Sequence, residues 1–384
     1  MAEPHNPAAQ VAARMTAAAA EWLAGLTPAQ LATAHGAVPS LDSAADAERR
    51  RWFYTPTDHG GLTLHEQRPA QQRQAMALVA TGLSHAGFVT VSTVIGLENV
   101  LDHADGFTAM FDRKRGRDPG LYYLRVFGEP GGSQPWGWRF GGHHVSLSNL
   151  VVDGELVSTT PSFIGADPAT APLLGARLRP LGPTEDLARE LVRSLSPDLA
   201  AAAVLLPQAP SDLVGGNRTV LSDGDEVIPL KEVWRGAFRD SAQWSALVAL
   251  SDAIDAAAGL TEQDHRTIAY TAAPKGLPAR ALDAGQRELL RALLATYLGR
   301  VPDGVSPMVR YAGAGGEAAL DAVHLAWAGP TDAGAPHYYR LQGPRLLIEW
   351  DNTQRGANHA HAAWRDPDTD FGLDALAAHR GAHH

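Results

Sequence analysis

The chain reads as an α+β protein: a mainly antiparallel sheet built from hairpins, with helices packed around it. Two observations carry that expectation. Helical spacing dominates residues 1–115, strand-like runs with turn signals begin near Gly116, helical spacing returns in the middle, and strand runs reappear before the C-terminus. Neither GxGxxG nor GxxxxGK[ST] occurs, so nothing argues for a βαβ nucleotide-binding unit. The expected organisation is one large domain over 1–384, with a mainly helical part (1–115) and a sheet-forming part with inserted helices (116–384).

The elements follow in order. "MAEPHNPAAQVAARMTAAAAEWLAGL" is alanine-rich but broken by Arg14 and Glu21, which reads as an amphipathic helix rather than a signal peptide. Residues 69–87 carry apolar side chains at helical spacing and end at Gly87, which resembles a C-cap. "VTVSTVIGLENVLDHADG" opens with a β-branched run that fits a strand and finishes with helical spacing. "LYYLRVFGEP" is a β-branched and aromatic run closed by Gly and Pro, hence a strand. In "WGWRFGGHHVSLSNLVVDGELVSTT" the Asp153-Gly154 pair predicts a tight hairpin, with Val152 facing Glu155 and Asn149 facing Ser158. Residues 184–206, 240–258 and 282–298 read as helices. "DAVHLAWAG", "HYYRLQGPRLLIEWDNT" and "ANHAHAAWRD" read as three consecutive antiparallel strands, and "DTDFGLDALAAHRGAHH" as a short helix with a histidine-containing tail.

Composition excludes several functions. With 32 basic against 42 acidic residues the formal charge is −10, and no basic patch is interleaved with aromatics, so nucleic acid is not an expected partner. Cysteine is absent, which removes disulfides, thiolate metal sites and cysteine nucleophiles together. No stretch approaches the roughly 18 apolar residues of a spanning helix. No membrane is therefore expected as a partner, and a cytoplasmic location is.

The chemistry concentrates at two places. In "RLLIEWDNTQRGANHAHAAWRD", a hairpin with its loop near 352–358 would set Asp351 opposite His359 and Glu349 opposite His361. Cross-strand partners share a face, and so do residues two apart along a strand. Glu349, Asp351, His359 and His361 would then project together, with Ile348 and Trp350 behind. Two imidazoles beside two carboxylates suit a divalent metal, and a carboxylate that does not bind the ion can instead orient a ring through its free N–H. The other place is "GGHHVSLSN". On a regular strand His143 and His144 would face opposite ways, His143 with Arg139 and Asn149, His144 with Trp138 and Ser148. One of them would then reach the common site, unless the glycines make a bulge.

Together "LSHAGF…GLENVL", "WGWRFGGHHVSLSN", "PSFIGADPA" and "YYRLQGPRLLIEWDNTQRGANHAHAAWRDPDTDFGLDALAAH" resemble the bacterial family catalogued as domain of unknown function 3500, over about residues 51–379. The resemblance implies that Gly142-His143-His144, Glu349, Asp351, Asn352, Asn358-His359, His361, Trp364-Arg365 and Asp370-Phe371-Gly372 fall in the family's motif stretches. It assigns them no chemistry.

The residues point to a metal-dependent enzyme acting on a small molecule. The candidate ligands are His143, His144, Asp351, His359 and His361, holding Zn, Fe or Mn. Glu349 is the candidate general base, and Arg365 and Arg139 are candidates for gripping a substrate carboxylate. Trp136, Trp138 and Trp364 would wall the pocket or pack in the core. Hydrolysis is the expected reaction. A non-heme iron oxygenase would use two histidines and a carboxylate from the same set, and a non-catalytic binding protein would use them as hydrogen-bonded sheet residues. Ser146 and Ser148 lack the G-x-S-x-G turn of a serine hydrolase.

Overall fold

The structure, a computed structural model, describes residues 6–383; His5 and His384 lie outside them. Helices α1 (Pro7–Ala24), α2 (Pro28–Ala34), α3 (Pro69–Thr81) and α4 (His85–Ala104) make up most of the first part, with the short strands β1 (His35–Gly36) and β2 (Leu62–Thr63) between them. Strands β3 (Tyr123–Phe127), β4 (Trp136–Gly142), β5 (Val145–Val152), β6 (Glu155–Ser158) and β7 (Ser162–Ala166) follow, then the small pair β8 (Ala171–Leu173) and β9 (Ala176–Leu178). The middle holds α5 (Gly182–Arg193), α6 (Pro197–Ala203), β10 (Val204–Leu206), α7 (Ser241–Ala258), α8 (Glu262–Ile268), β11 (Leu277–Pro278), α9 (Ala284–Leu298) and α10 (Glu317–Asp321). The chain closes with β12 (His324–Ala328), β13 (Tyr338–Gly343), β14 (Leu346–Asp351), β15 (Ala360–Arg365) and α11 (Leu373–His383).

Local chemistry explains where these elements start and stop. Asn6 caps α1 through Ala9 N–H, with Pro7 in the first turn. The helix expected over 69–87 is two helices. The first ends at Thr81, and Ser84 caps the second by accepting from Gly87 N–H, so Gly87 lies inside α4. There a β-carbon would strike the Arg300 carbonyl oxygen at 2.5 Å, which is what requires glycine. The ambiguous β-branched run is helical because Val91, Val94, Leu97, Glu98 and Leu101 form one buried stripe at helical spacing. Residues 184–206 divide into α5, α6 and β10 rather than one helix. The segment 337–353 is a hairpin, β13 and β14, so four strands stand where three were expected.

One sheet of 13 strands runs through the molecule in the order β1-β3-β4-β5-β7-β15-β14-β13-β12-β10, with β2, β6 and β11 paired alongside. It is mostly antiparallel, as the hairpin pattern predicts, but β1 pairs β3 and β10 pairs β12 in parallel. At the Asp153-Gly154 turn both residues have positive φ (51° and 77°), and Val152 does face Glu155. The register then shifts, so Ser158 faces Leu150 rather than Asn149. Trp138, Ile348, Trp350 and Trp364 belong to the main core, together with residues of α1, α3, α4 and α9. Phe163 and Ala363, with Trp52, Tyr54 and Leu213 from irregular segments, form a separate cluster. Helices α1, α3, α4 and α9 therefore cover one face of the sheet, and loops from residues 52–59 and 207–235, with α7, α8 and α11, approach the other. The tryptophans offered as pocket walls are core residues. The reactive side chains occupy the loop-covered face.

Candidate metal centre

His143 and His144 are not on a strand. Gly142 pairs with Val145, so the two histidines are themselves the two-residue turn joining β4 to β5, and His144 has φ +63°. Strand alternation therefore does not apply, and the rings stack on the same side with centroids 3.7 Å apart. The turn is held by its backbone. His144 N–H donates to Tyr54 O (3.1 Å), and its carbonyl accepts from Gly165 N–H (2.8 Å). Tyr122 O–H donates to the His143 carbonyl at 2.6 Å. Gly142 is required there, because a β-carbon would stand 2.6 Å from the Tyr122 ring.

The second hairpin keeps the expected parity with a different register. Asp351 faces His361 and Glu349 faces Ala363, a two-residue displacement from the expected pairing. Because side chains alternate with period two, that displacement leaves each residue on its expected face. His359 precedes β15, and its Nε2 lies 2.7 Å from His144 Nε2. Donor atoms of His144, His359 and His361 all lie within 4.8 Å of one another. A tetrahedral ion with nitrogen ligands at about 2.0–2.1 Å holds them roughly 3.3 Å apart, so small ring movements suffice to fit the set.

Carboxylates stand behind these rings. Asp212 Oδ1 is 2.7 Å from His361 Nδ1, and Asp167 Oδ2 is 3.8 Å from His359 Nδ1. Glu98 Oε1 lies 2.6 Å from His143 Nδ1. Two further sets of donors come within 4.8 Å, Glu98/His143/His144 and Asp212/Asp351/His361. Buried His/Asp/Glu groups in this region could thus hold a metal ion. Burial pushes His143, His144 and His359 well below the ordinary imidazole range, which keeps the rings neutral and able to donate lone pairs. Burial also raises Glu98 to about 8 and Asp167 to about 6, the latter opposed by Arg355. Asp351 is raised well above the usual range, first by burial and then by Asp212, and its Oδ2 has no hydrogen-bond partner among the described residues.

The histidines border a pocket of about 500 Å³. Part of its lining is apolar, formed by Phe111, Trp234 and the α7 residues Leu247, Leu250 and Ile254.

The other sequence-derived candidates stand elsewhere. Glu349 accepts from Val214 N–H (3.1 Å), Gly215 N–H (2.8 Å) and Tyr338 O–H (2.5 Å), so it anchors a loop. Arg365 donates to the carbonyls of Gly215, Arg218 and Thr219 and pairs with Asp370 at 2.7 Å. Arg139 donates to the carbonyls of Glu48, His59 and Gly60. None of the three lines the pocket. Each is consumed by backbone groups that would otherwise be buried without partners. His379 pairs with Asp153 at 2.8 Å, and His337 stacks on Trp327 in the core.

Sequence reasoning missed Asp212, Asp167, Glu98, Tyr54, Arg117 and Arg355. Glu98 and Asp167 lie inside "GLENVL" and "PSFIGADPA", so their stretches stood out without a role. Asp212, in "APSDLVGGN", has no local signal.

No curated protein and no solved structure matches this chain. A family match described as "Protein of unknown function (DUF3500)" covers residues 8–373 of 384, and includes every residue of the histidine cluster. The chain belongs to the DUF3500 family.

Proposed function

We propose that the protein is a metal-dependent hydrolase in which His144, His359 and His361 hold one divalent ion at the pocket wall. The observation that carries this reading is the convergence of three imidazoles, two of them backed by carboxylates. Neutral ligands leave the charge of a divalent ion uncompensated, which acidifies bound water and polarises a carbonyl. The remaining work falls to this chain's own side chains. Asp212 fixes the His361 ring by accepting from Nδ1–H, directing Nε2 toward the other two imidazoles. His143, oriented by Glu98, has Nε2 as the ring atom Glu98 does not engage. From there the neutral ring can orient the attacking water by a hydrogen bond.

The iron oxygenase reading needs a carboxylate among the ligands. Glu349 is engaged elsewhere, but the Glu98/His143/His144 and Asp212/Asp351/His361 sets each include a carboxylate, so the identity of the bound metal decides between the two readings.

Elemental analysis by mass spectrometry, with circular dichroism to confirm folding, tests the proposal. The parent should carry about one divalent ion per chain, and His144→Ala, His359→Ala and His361→Ala should each lose it. Variants that retain the parent's metal content would exclude the site, and stoichiometric iron would return the oxygenase reading.

A further inference from the structure

Two arginines missed in the sequence reach the pocket beside the histidines. Arg117 Nε is 3.1 Å from Asp105 Oδ2, and Arg355 Nη2 is 3.1 Å from Asp105 Oδ1. One carboxylate thus holds two guanidinium groups side by side. Arg355 Nε also pairs with Asp167 at 3.0 Å, the same carboxylate that stands behind His359. Arg117 Nη1 lies 3.5 Å from His143 Nε2. Among the described residues, Arg117 Nη2 and Arg355 Nη1 have no hydrogen-bond partner, although both side chains line the pocket. Each arginine is therefore anchored by some of its nitrogens and keeps a donor unused.

The rest of the pocket has the opposite character. Phe111 and Trp234 stack at 5.4 Å, and Arg117 lies over the Phe111 ring at 5.0 Å. Leu247, Leu250 and Ile254 are spaced to share one face of α7. Leu250 is 55% exposed although it lines the pocket, so apolar surface here faces solvent. A pocket of about 500 Å³ suits a small organic molecule.

We propose that the substrate is a small amphipathic monocarboxylate, its acid head held by Arg117 and Arg355 and its apolar body lying against Phe111, Trp234 and α7. This rests on the hydrolase reading for what happens to the substrate, though not for how its head is recognised. Two unused donors on neighbouring guanidinium groups match the two oxygens of a carboxylate. The arginines contact the histidine cluster through Asp167 and His143, so the reacting bond lies near the acid head rather than at the far end of the body.

Calorimetric titration with butanoate, hexanoate and octanoate, and with 1-butanol and 1-hexanol, tests this on both metal-loaded protein and protein stripped by chelator. Acids should bind at least tenfold tighter than alcohols of equal length, tighten several-fold with each lengthening, and bind without metal. Arg355→Gln should weaken acids at least tenfold and leave alcohols unchanged. Leu250→Glu, which leaves the arginines intact, should abolish the gain with chain length. Equal binding of acids and alcohols, or an unaffected Arg355→Gln, would overturn the proposal. So would acid binding that disappears with the metal, or hexyl phosphate binding more tightly than hexanoate. A chain that binds acids but carries no metal would sink the hydrolase reading alone.

Discussion

Glu349 and His361 project from the same face of neighbouring strands, yet they do different work. The Glu349 carboxylate satisfies two backbone N–H groups and the Tyr338 hydroxyl in a buried site. Glu349→Leu should leave all three without a partner and lower unfolding free energy by about 3–5 kcal/mol in urea titrations. Metal content per folded molecule should stay at the parent's level. Asp212→Asn should do the reverse. The amide can keep a hydrogen bond to His361 Nδ1 but cannot stabilise the ring's partial positive charge, so metal affinity should fall about 10–100-fold in chelator competition with little change in stability. Both residue types were legible as chemistry in the sequence. Their division of labour was not, because it depends on which backbone groups a distant loop brings to each carboxylate.

At the scale of elements, the site depends on two hairpins meeting across β7. That strand pairs with both β5 and β15, and Gly165 lies where the His144 ring passes. A β-carbon at Gly165 would come within 2.8 Å of His144 Cδ2 and of the Ala360 carbonyl oxygen. Gly165→Ala should therefore displace the ring, costing about 1–3 kcal/mol of stability and at least tenfold in metal affinity. An unchanged affinity in chelator competition would show that the His144 position does not depend on this contact. Local patterns foresaw the Asp153-Gly154 hairpin and the parity of the Asp351/His361 strands. They misjudged the His143-His144 turn, because nothing in a Gly-Gly-His-His run distinguishes a bulged strand from the tip of a hairpin. The turn is decided by the pairing of β4 with β5 and by the Tyr54 and Gly165 backbone groups that clasp it.

For the whole molecule, no helix among the described residues is long and apolar enough to cross a membrane. Burial also keeps two histidines that do not line the pocket neutral. Burial lowers both His59 and His337 to about 3. Each therefore favours the folded state above the unfolded value of about 6.5, and that contribution is lost as pH falls from about 6.5 to about 3. The slope is up to about 1.4 kcal/mol per pH unit for each ring. His337→Gln should cost stability at pH 7, where it removes the stack on Trp327, and the gap to the parent should narrow as pH falls through 6 to 4. A constant gap in urea midpoints across that range would contradict the assignment.

The sequence by itself determined most of the kinds of element, the face shared by Glu349, Asp351 and His361, and the stock of imidazoles and carboxylates available without any cysteine. These follow from local rules: periods of 3.6 and 2, caps, turns and composition. Only the tertiary structure decided which of those groups meet. It brought Asp212, Asp167 and Glu98 behind the histidines, placed Arg117 and Arg355 rather than Arg139 and Arg365 at the pocket, and made a turn of His143 and His144. The physical reason is that strand parity survives a two-residue change of register, whereas convergence at a site depends on the absolute register and on long loops that carry no period.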